Sequence, residues 1–292
     1  MRLFIILLSI QLISCGSGSS TNEPSQVNSQ LTVGHTLLYP KTKQPVSFSD
    51  VTSLTYETSK EKLFYGDSEQ QYVEYWSPID VDSDSNLPAL ILIHGGCWSN
   101  SYRINQSYPI ATAFALNGFH IWSIEYRATG DLGGGWPGTY DDIERALGYI
   151  SSVEDNYYTD RKQVVLGHSA GGHLALLAAS NLDNDYKTVG LAAITDLITY
   201  ANESGGCNSL AINFMKGSSI DIPEQYALAS PQMTGLTKDA YLFAGDIDPI
   251  VKTSQASSSG LPYEVAQETG HFDWIHPGTA SFDILLNYLL NL

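Results

Sequence analysis

The sequence predicts an α/β protein with a mostly parallel central sheet, helices on both faces and a small cap region. Short β-forming runs alternate with segments of helical spacing, a pattern that favours parallel strands joined by crossover helices. The run Ala89–Ile93 is continuously apolar, as expected of a strand covered on both faces. The chain has 292 residues, enough for one large domain with a buried core.

The strands are predicted from β-forming residues bounded by turn residues such as Gly66-Asp67-Ser68. In chain order they are Ser53–Tyr56, Lys62–Tyr65, Gln71–Tyr75, Ala89–Ile93, Phe119–Tyr126, Val164–Leu166, Val189–Ile194, Ala240–Ala244 and Tyr263–Ala266.

The helices are predicted from apolar residues that recur on one side. They are Tyr140–Ile150, which has acidic residues near its N-terminal end, Gly172–Ala179, and the amphipathic Ser281–Leu290. Residues 199–232 fit the alternation poorly, and we expect them to form the cap over the carboxyl ends of the strands.

Residues 1–14 predict a secretory signal. Arg2 precedes the apolar stretch Leu3–Ile13, which is too short to span a membrane. The stretch ends in Leu-Ile-Ser-Cys at Cys15, which resembles the lipobox of bacterial lipoproteins, where the cysteine is lipidated. The alternative is an ordinary signal peptide that is cut a little later, with Cys15 incidental.

Residues 15–49 are predicted to be a flexible tether, because they begin with a stretch rich in Gly, Ser, Asn and Gln that has no apolar period. The folded domain is then residues 50–292. We expect an exported protein, held in the bacterial cell envelope as a lipoprotein or otherwise periplasmic or secreted. With Cys15 lipidated, Cys97 and Cys207 remain, and an oxidising compartment would permit a disulfide between them.

The charge balance and the motifs exclude several classes of partner. The chain has 31 Asp plus Glu against 14 Lys plus Arg, a formal net charge of −17, so phosphate backbones repel it and nucleic acid is not expected to bind. Cys and His show no metal-ligand spacing, and no phosphate-binding loop is recognisable, so no metal and no cofactor are expected. Membrane contact is expected only through the lipid.

The segment Gly167-His168-Ser169-Ala170-Gly171 stands between a predicted strand and a predicted helix. A serine hydroxyl is a weak nucleophile and becomes effective on a sharp strand-to-helix turn beside a base. Small flanking residues permit the turn, and the helix dipole favours the negative charge that develops on a carbonyl oxygen. The pattern therefore predicts Ser169 as a nucleophile; the alternative is a tight turn without catalysis.

Residues 94–98 read HGGCW and directly follow an apolar strand. A glycine pair at a strand end can present backbone N–H groups, so the amides of Gly95, Gly96 and Ala170 are predicted to form an oxyanion hole. His94 is a candidate base, but it precedes the glycine pair and is expected to be structural. Trp98 lies next to these donors in the sequence and is predicted to contact the substrate.

The acid is sought after the nucleophile, because motifs of this kind run in the order nucleophile, acid, histidine. Asp246 and Asp248 both follow the strand Ala240–Ala244, and either could serve. We favour Asp248, because Asp246 lies at the strand end, where a carboxylate binds turn amides.

His271 and His276 are the candidates for the base. His271 follows Gly270 in the loop after Tyr263–Ala266, whereas His276 precedes a proline near the last helix, so we favour His271. Asp248 would hold one imidazole nitrogen of His271 so that the other accepts the serine proton.

The strings HGG-x-W, GHSAGGHLA, GDIDPIV and GHFDW, over about residues 60–292, resemble the α/β-hydrolase fold. Within that fold they are similar to the carboxylesterase, hormone-sensitive-lipase-like and kynurenine-formamidase-like (BD-FAE-like) branch. The resemblance implies a serine esterase that cleaves small carboxylic esters through an acyl-enzyme. Cys97 departs from the pattern, since related sequences often carry an aromatic or other residue there.

Other functions stay open at this point. Within the same fold, the alternatives are an arylformamidase that acts on N-formylkynurenine-type amides and a short-peptide serine peptidase. The N-terminal half has no recognisable propeller domain of the kind that prolyl-oligopeptidase-type peptidases carry, which disfavours the peptidase hypothesis. A catalytically silent binding module on the cell surface is the alternative outside enzymes, although every position of the triad can be filled here.

Overall fold

In the computed structural model, which describes residues 38–79, 86–158, 160–181, 186–235 and 239–292, eight strands form one sheet. The strands are β1 (Glu61–Phe64), β2 (Tyr72–Trp76), β3 (Ala89–Ile93), β4 (Ile121–Glu125), β5 (Gln163–His168), β6 (Lys187–Leu191), β7 (Ala240–Gly245) and β8 (Tyr263–Ala266). Their spatial order is β1-β2-β4-β3-β5-β6-β7-β8. The pairs β1–β2 and β2–β4 are antiparallel, and all later pairs are parallel.

The helices flank the sheet in chain order. They are α1 (Phe48–Thr52), α2 (Tyr108–Leu116), α3 (Gly138–Val153), α4 (Ala170–Asn181), α5 (Leu197–Asn202), α6 (Asn208–Met215), α7 (Pro223–Ala229), α8 (Pro231–Thr234), α9 (Ser254–Ser257) and α10 (Ala280–Leu290). Short 3-10 helices cover Ile104–Ser107, Glu154–Asn156 and Asp273–Ile275.

Successive side chains of the central strands lie on opposite faces of the sheet and pack into two separate cores. On β3, Ile91 joins the cluster that contains apolar residues of α3 and α4, whereas Leu92 joins the cluster that contains those of α2 and α10. All five residues of β3 are buried, as expected of a strand covered on both faces. The predicted α/β class, with a mostly parallel sheet and helices on both faces, is confirmed.

Two predicted strands need correction. Ser53–Tyr56 is not a strand: the Ser53 N–H donates to the carbonyl of Ser49 and ends α1, which a capping box at Ser47 initiates. The strand predicted as Val189–Ile194 is β6 and ends at Leu191. The next residue, Ala192, has a φ of +47°, which a strand cannot accommodate.

The folded body begins earlier than predicted. Tyr39 is fully buried, Val46 is 8% exposed, and the Val46 N–H donates to the Asp273 carboxylate at 2.8 Å. The predicted boundary at residue 50 is therefore too late, since at least residues 38–49 belong to the domain. The predicted signal, Cys15 and the first part of the tether lie outside the described residues.

The predicted cap region is helical and lies between β6 and β7, where it comprises α5, α6, α7 and α8. Within the parts of the chain that the structure describes, no helix is both long and apolar enough to cross a membrane.

Candidate active site

Ser169 lies between β5 and α4 with a φ of +54°, a left-handed conformation that is strained for a residue with a side chain. The Ser169 N–H donates to the Leu191 carbonyl at 2.9 Å, and the Ser169 carbonyl accepts from the His173 N–H at 3.0 Å. The turn is too tight for larger neighbours, because a Cβ on Gly167 would lie 2.2 Å from the carbonyl oxygen of Gly171. The local sequence therefore folds into a sharp elbow that presents the serine.

His271 and Asp248 form a buried hydrogen-bonded pair. The Nδ1 of His271 lies 2.8 Å from Oδ2 of Asp248, and the two side chains are 4% and 0% exposed. The other carboxylate oxygen of Asp248 accepts from the backbone N–H groups of Ile250, at 2.7 Å, and Val251, at 2.9 Å. These donors fix the carboxylate in place, so it orients the imidazole.

Asp246 is placed differently. Its carboxylate accepts from the backbone N–H of Thr269 at 3.1 Å, which is the turn-amide role expected of the first aspartate after the strand.

The other two candidate histidines have structural partners. The Nδ1 of His276 accepts from the Gly278 N–H at 3.1 Å, and burial lowers the pKa of His276. His94 lies with Nε2 3.2 Å from Glu125 and is stacked on Tyr126 at a ring separation of 4.3 Å. Neither histidine lines the cavity that contains Ser169.

The glycine loop after β3 borders the serine. Gly96 has a φ of +110°, and a Cβ there would lie 2.3 Å from Cβ of Tyr102. A Cβ on Gly95 would lie 3.2 Å from Cβ of Ser169, so the backbone of Gly95 is in direct contact with the elbow. Ala170 begins helix α4, whose N-terminal dipole is directed at the same place.

Trp98 does not form part of the cavity wall. Its side chain is fully buried and stacks on Phe214 of α6 with ring centroids 5.0 Å apart. Its indole N–H donates to Nδ1 of His173 at 3.2 Å, and Nε2 of His173 lies 2.6 Å from the carbonyl of Ala229. The predicted substrate contact by Trp98 is therefore corrected: this side chain lies in the core behind the glycine loop, where it packs on Phe214 and His173.

A disulfide joins Cys97 of the glycine loop to Cys207, the residue that precedes α6, with a Cα–Cα distance of 5.5 Å. Both cysteines line the cavity. The bond therefore connects the loop that borders Ser169 to the cap.

His168 was not singled out by sequence reasoning. Its Nε2 lies 2.9 Å from the carbonyl oxygen of His271, and the two imidazole rings are 4.7 Å apart. Burial, together with the proximity of a second imidazole, that of His271, lowers the pKa of His168 to about 3. The neutral ring of His168 donates to the loop of His271 and holds it against the elbow.

Ser169 and His271 open into one cavity of about 280 Å³. It is bounded by an aromatic wall of Phe48, Tyr102 and Phe272 and by an apolar wall of Cys207, Leu210 and Ile250. The other lining residues are Gly96, Cys97, Gln106, His168 and Gly206. Sequence reasoning missed both walls. The capping box between Ser47 and Asp50 signals that a helix begins at Phe48, but it does not signal that the ring reaches the cavity.

No group of three His, Cys, Asp or Glu side chains that could hold a metal ion occurs within the described ranges. The arrangement that the site does contain is a serine on a strained elbow, a histidine with a fixed carboxylate partner, and backbone amides beside them. These are the parts that nucleophilic acyl transfer requires.

Comparison with known proteins agrees with this architecture. The chain is 32% identical over 120 residues to esterase LipC of Mycobacterium tuberculosis, a match that covers 41% of this chain and 29% of LipC. It is 33% identical over 103 residues to kynurenine formamidase avaC of Aspergillus versicolor, which covers 31% of this chain and 34% of that protein. The chain spans less than half the length of the curated relatives it matches.

Among solved structures, a truncated carbohydrate esterase from gut microbiota has a TM-score of 0.68 at 20% identity, with 85% of this chain and 99% of that chain covered. This likeness shows the α/β-hydrolase fold. The BD-FAE family model matches residues 78–259, well over half of the chain. The chain therefore belongs to the BD-FAE family of α/β-hydrolase-fold proteins.

Proposed function

We propose that the protein is a serine hydrolase that cleaves small carboxylic esters through an acyl-enzyme. The observation that carries this proposal is the buried His271–Asp248 hydrogen bond beside the elbow of Ser169, with Ser169 and His271 lining one cavity. The names of relatives such as LipC support an ester substrate.

In the proposed reaction, the Ser169 oxygen attacks the ester carbonyl while Nε2 of His271 accepts its proton. Asp248 fixes the tautomer in which Nδ1 carries the hydrogen and stabilises the imidazolium that forms. The negative charge on the carbonyl oxygen is held by the amides of Gly95, Gly96 and Ala170, each worth about 10²–10³ in rate in sites of this kind.

His271 then returns its proton to the alcohol oxygen as the alcohol leaves. Water attacks the acyl-enzyme by the same route in reverse, which frees the acid and restores Ser169.

A second function is favoured by the match to a kynurenine formamidase. The same triad would cleave an aryl formamide, with the formyl group carried on Ser169 and an arylamine as leaving group.

The deciding experiment measures kcat/KM of the full chain on p-nitrophenyl acetate and on N-formylkynurenine. We expect ester turnover to exceed formamide cleavage. Ser169→Ala should reduce ester turnover by about 10⁶, because the nucleophile is lost. Both side chains have a Cβ in the same strained conformation, so the melting temperature should be unchanged.

Ser101→Ala, an exposed serine on a neighbouring loop, is the matched control and should keep full activity. Turnover retained in Ser169→Ala would refute the mechanism, and a preference for the formamide would favour the second function. The exported, lipid-anchored location stays a prediction, which incorporation of a labelled fatty acid at Cys15, lost in Cys15→Ala, would test.

A further inference from the structure

The N-terminal segment, residues 38–57, is bound to the loop that carries His271. The Val46 N–H donates to one carboxylate oxygen of Asp273 at 2.8 Å, and the Gly270 N–H donates to the other at 2.6 Å. Asp273 is fully buried. One carboxylate therefore joins the N-terminal segment to the residue that directly precedes His271.

Gln44 and Pro45 fasten the segment further. The Gln44 side-chain amide donates to the hydroxyls of Thr269, at 3.0 Å, and Ser281, at 2.8 Å, and its oxygen accepts from the Ser281 N–H at 3.1 Å. Pro45 packs directly on Gly270, since a Cβ there would lie 2.8 Å from Cβ of Pro45. The segment is thus held to the same loop by backbone, side-chain and packing contacts.

These contacts place Phe48 at the cavity. Phe48 begins α1, and the capping box between Ser47 and Asp50 fixes where that helix starts. The Phe48 ring meets Tyr102 edge-to-face at a centroid distance of 5.3 Å and Phe272 at 5.5 Å. All three rings are half-buried and line the cavity, so part of each remains free to contact a ligand.

The aromatic wall extends from the base to the glycine loop. Phe272 follows His271, and their rings are 5.0 Å apart; Tyr102 packs on Gly96. In ester cleavage the alcohol oxygen receives its proton from Nε2 of His271, so the alcohol must lie beside that imidazole. The body of the alcohol then meets the aromatic wall.

We propose that Phe48 is a specificity-determining residue that contacts the alcohol portion of the ester, so that the N-terminal segment forms part of the active site. This inference rests on the proposed ester hydrolysis. It adds that a bulky alcohol is preferred over methanol because its apolar surface packs on the ring of Phe48.

The test measures kcat/KM of the full chain on four ester substrates. Benzyl acetate and methyl acetate differ only in the alcohol, whereas p-nitrophenyl butyrate and p-nitrophenyl acetate differ only in the acyl group. In Phe48→Ala, the kcat/KM ratio of benzyl to methyl acetate should fall about tenfold, the low end of the loss for a missing apolar contact. The butyrate-to-acetate ratio should stay unchanged.

Tyr56→Ala is the matched control, because Tyr56 is an exposed aromatic residue of the same segment that packs on Tyr108, outside the cavity. It should leave both ratios as in the wild type. Should Phe48→Ala fail to fold, Phe48→Leu is measured in its place, with the same expected direction.

An alcohol ratio that stays constant in a folded Phe48 variant overturns the inference, as does a shift confined to the acyl ratio. Those outcomes leave ester hydrolysis intact. A wild type that hydrolyses none of the four esters refutes the proposed function, and this inference with it.

Discussion

The loops that carry Ser169 and Gly96 meet the N-terminal segment at one cavity, but the two regions are held by different interactions. The loops depend on unusual backbone conformations, such as the positive φ of Ser169 and Gly96, which cost about 1–3 kcal/mol each for a residue with a side chain and are imposed by the strands around them. The N-terminal segment depends on side-chain hydrogen bonds from Gln44 and to Asp273. Changes in the loops should therefore alter the rate, whereas changes in the segment should alter stability or selectivity.

Among changes that leave Ser169 in place, the largest effect is expected from Asp248→Asn. The amide keeps the shape of the side chain but favours the wrong tautomer of His271, so kcat should fall by about 10⁴ while the melting temperature changes little. Asp246→Asn is the matched control, because Asp246 contacts Thr269 and not His271. Steady-state kinetics on p-nitrophenyl acetate measure both, and equal losses in the two variants would show that the choice between them is wrong.

Gly96→Ala should have the next largest effect. The new methyl group would collide with Tyr102 and require a φ of +110°, so the loop must move and kcat should fall by about 10²–10³. Gly205→Ala is the matched control, because it requires a similar φ of +103° but its new methyl group would have no atom within 4 Å. It therefore tests backbone strain without the collision that would move the glycine loop. If both variants lost activity equally, the amides of the glycine loop would not act on the transition state.

Gln44→Ala should have the smallest effect, and it acts on stability. Three hydrogen bonds to Thr269 and Ser281 are removed, so urea denaturation should show a loss of about 1–3 kcal/mol in the free energy of unfolding. The kcat of Gln44→Ala on methyl acetate should be unchanged. Lys43→Ala, a change at an exposed neighbouring residue, is the matched control and should leave the free energy of unfolding unchanged. A large fall in kcat would break the distinction between the two regions.

The sequence alone was informative where chemistry and structure depend on neighbouring residues. The continuous apolar run Ala89–Ile93 indicates a buried strand, and the small residues around Ser169 indicate a sharp turn. Both patterns depend only on residues that are neighbours in the chain, so the sequence shows them directly. The preference for Asp248 over Asp246 relied on the tendency of strand-end carboxylates to bind turn amides, and the structure shows Asp246 in that role.

Sequence reasoning failed where neighbours in the chain are not neighbours in space. Trp98 follows the glycine pair, but Cys97 and Trp98 both have positive φ values, so the chain turns back and the indole lies in the core. Phe48 is held at the cavity by contacts with Tyr102 and with a loop more than 200 residues later in the chain, and no local pattern encodes such contacts. The start of the domain was placed too late for the same reason.

The bond between Cys97 and Cys207 closes a covalent ring across a sequence separation of 110. The ring contains β4, β5 and β6, and with them Ser169, whereas Asp248 and His271 lie on the part of the chain that follows it. A single proteolytic cut inside the ring leaves all three residues on one covalently connected molecule. A cut between residues 207 and 248 divides the protein into two pieces, one with Ser169 and the other with Asp248 and His271.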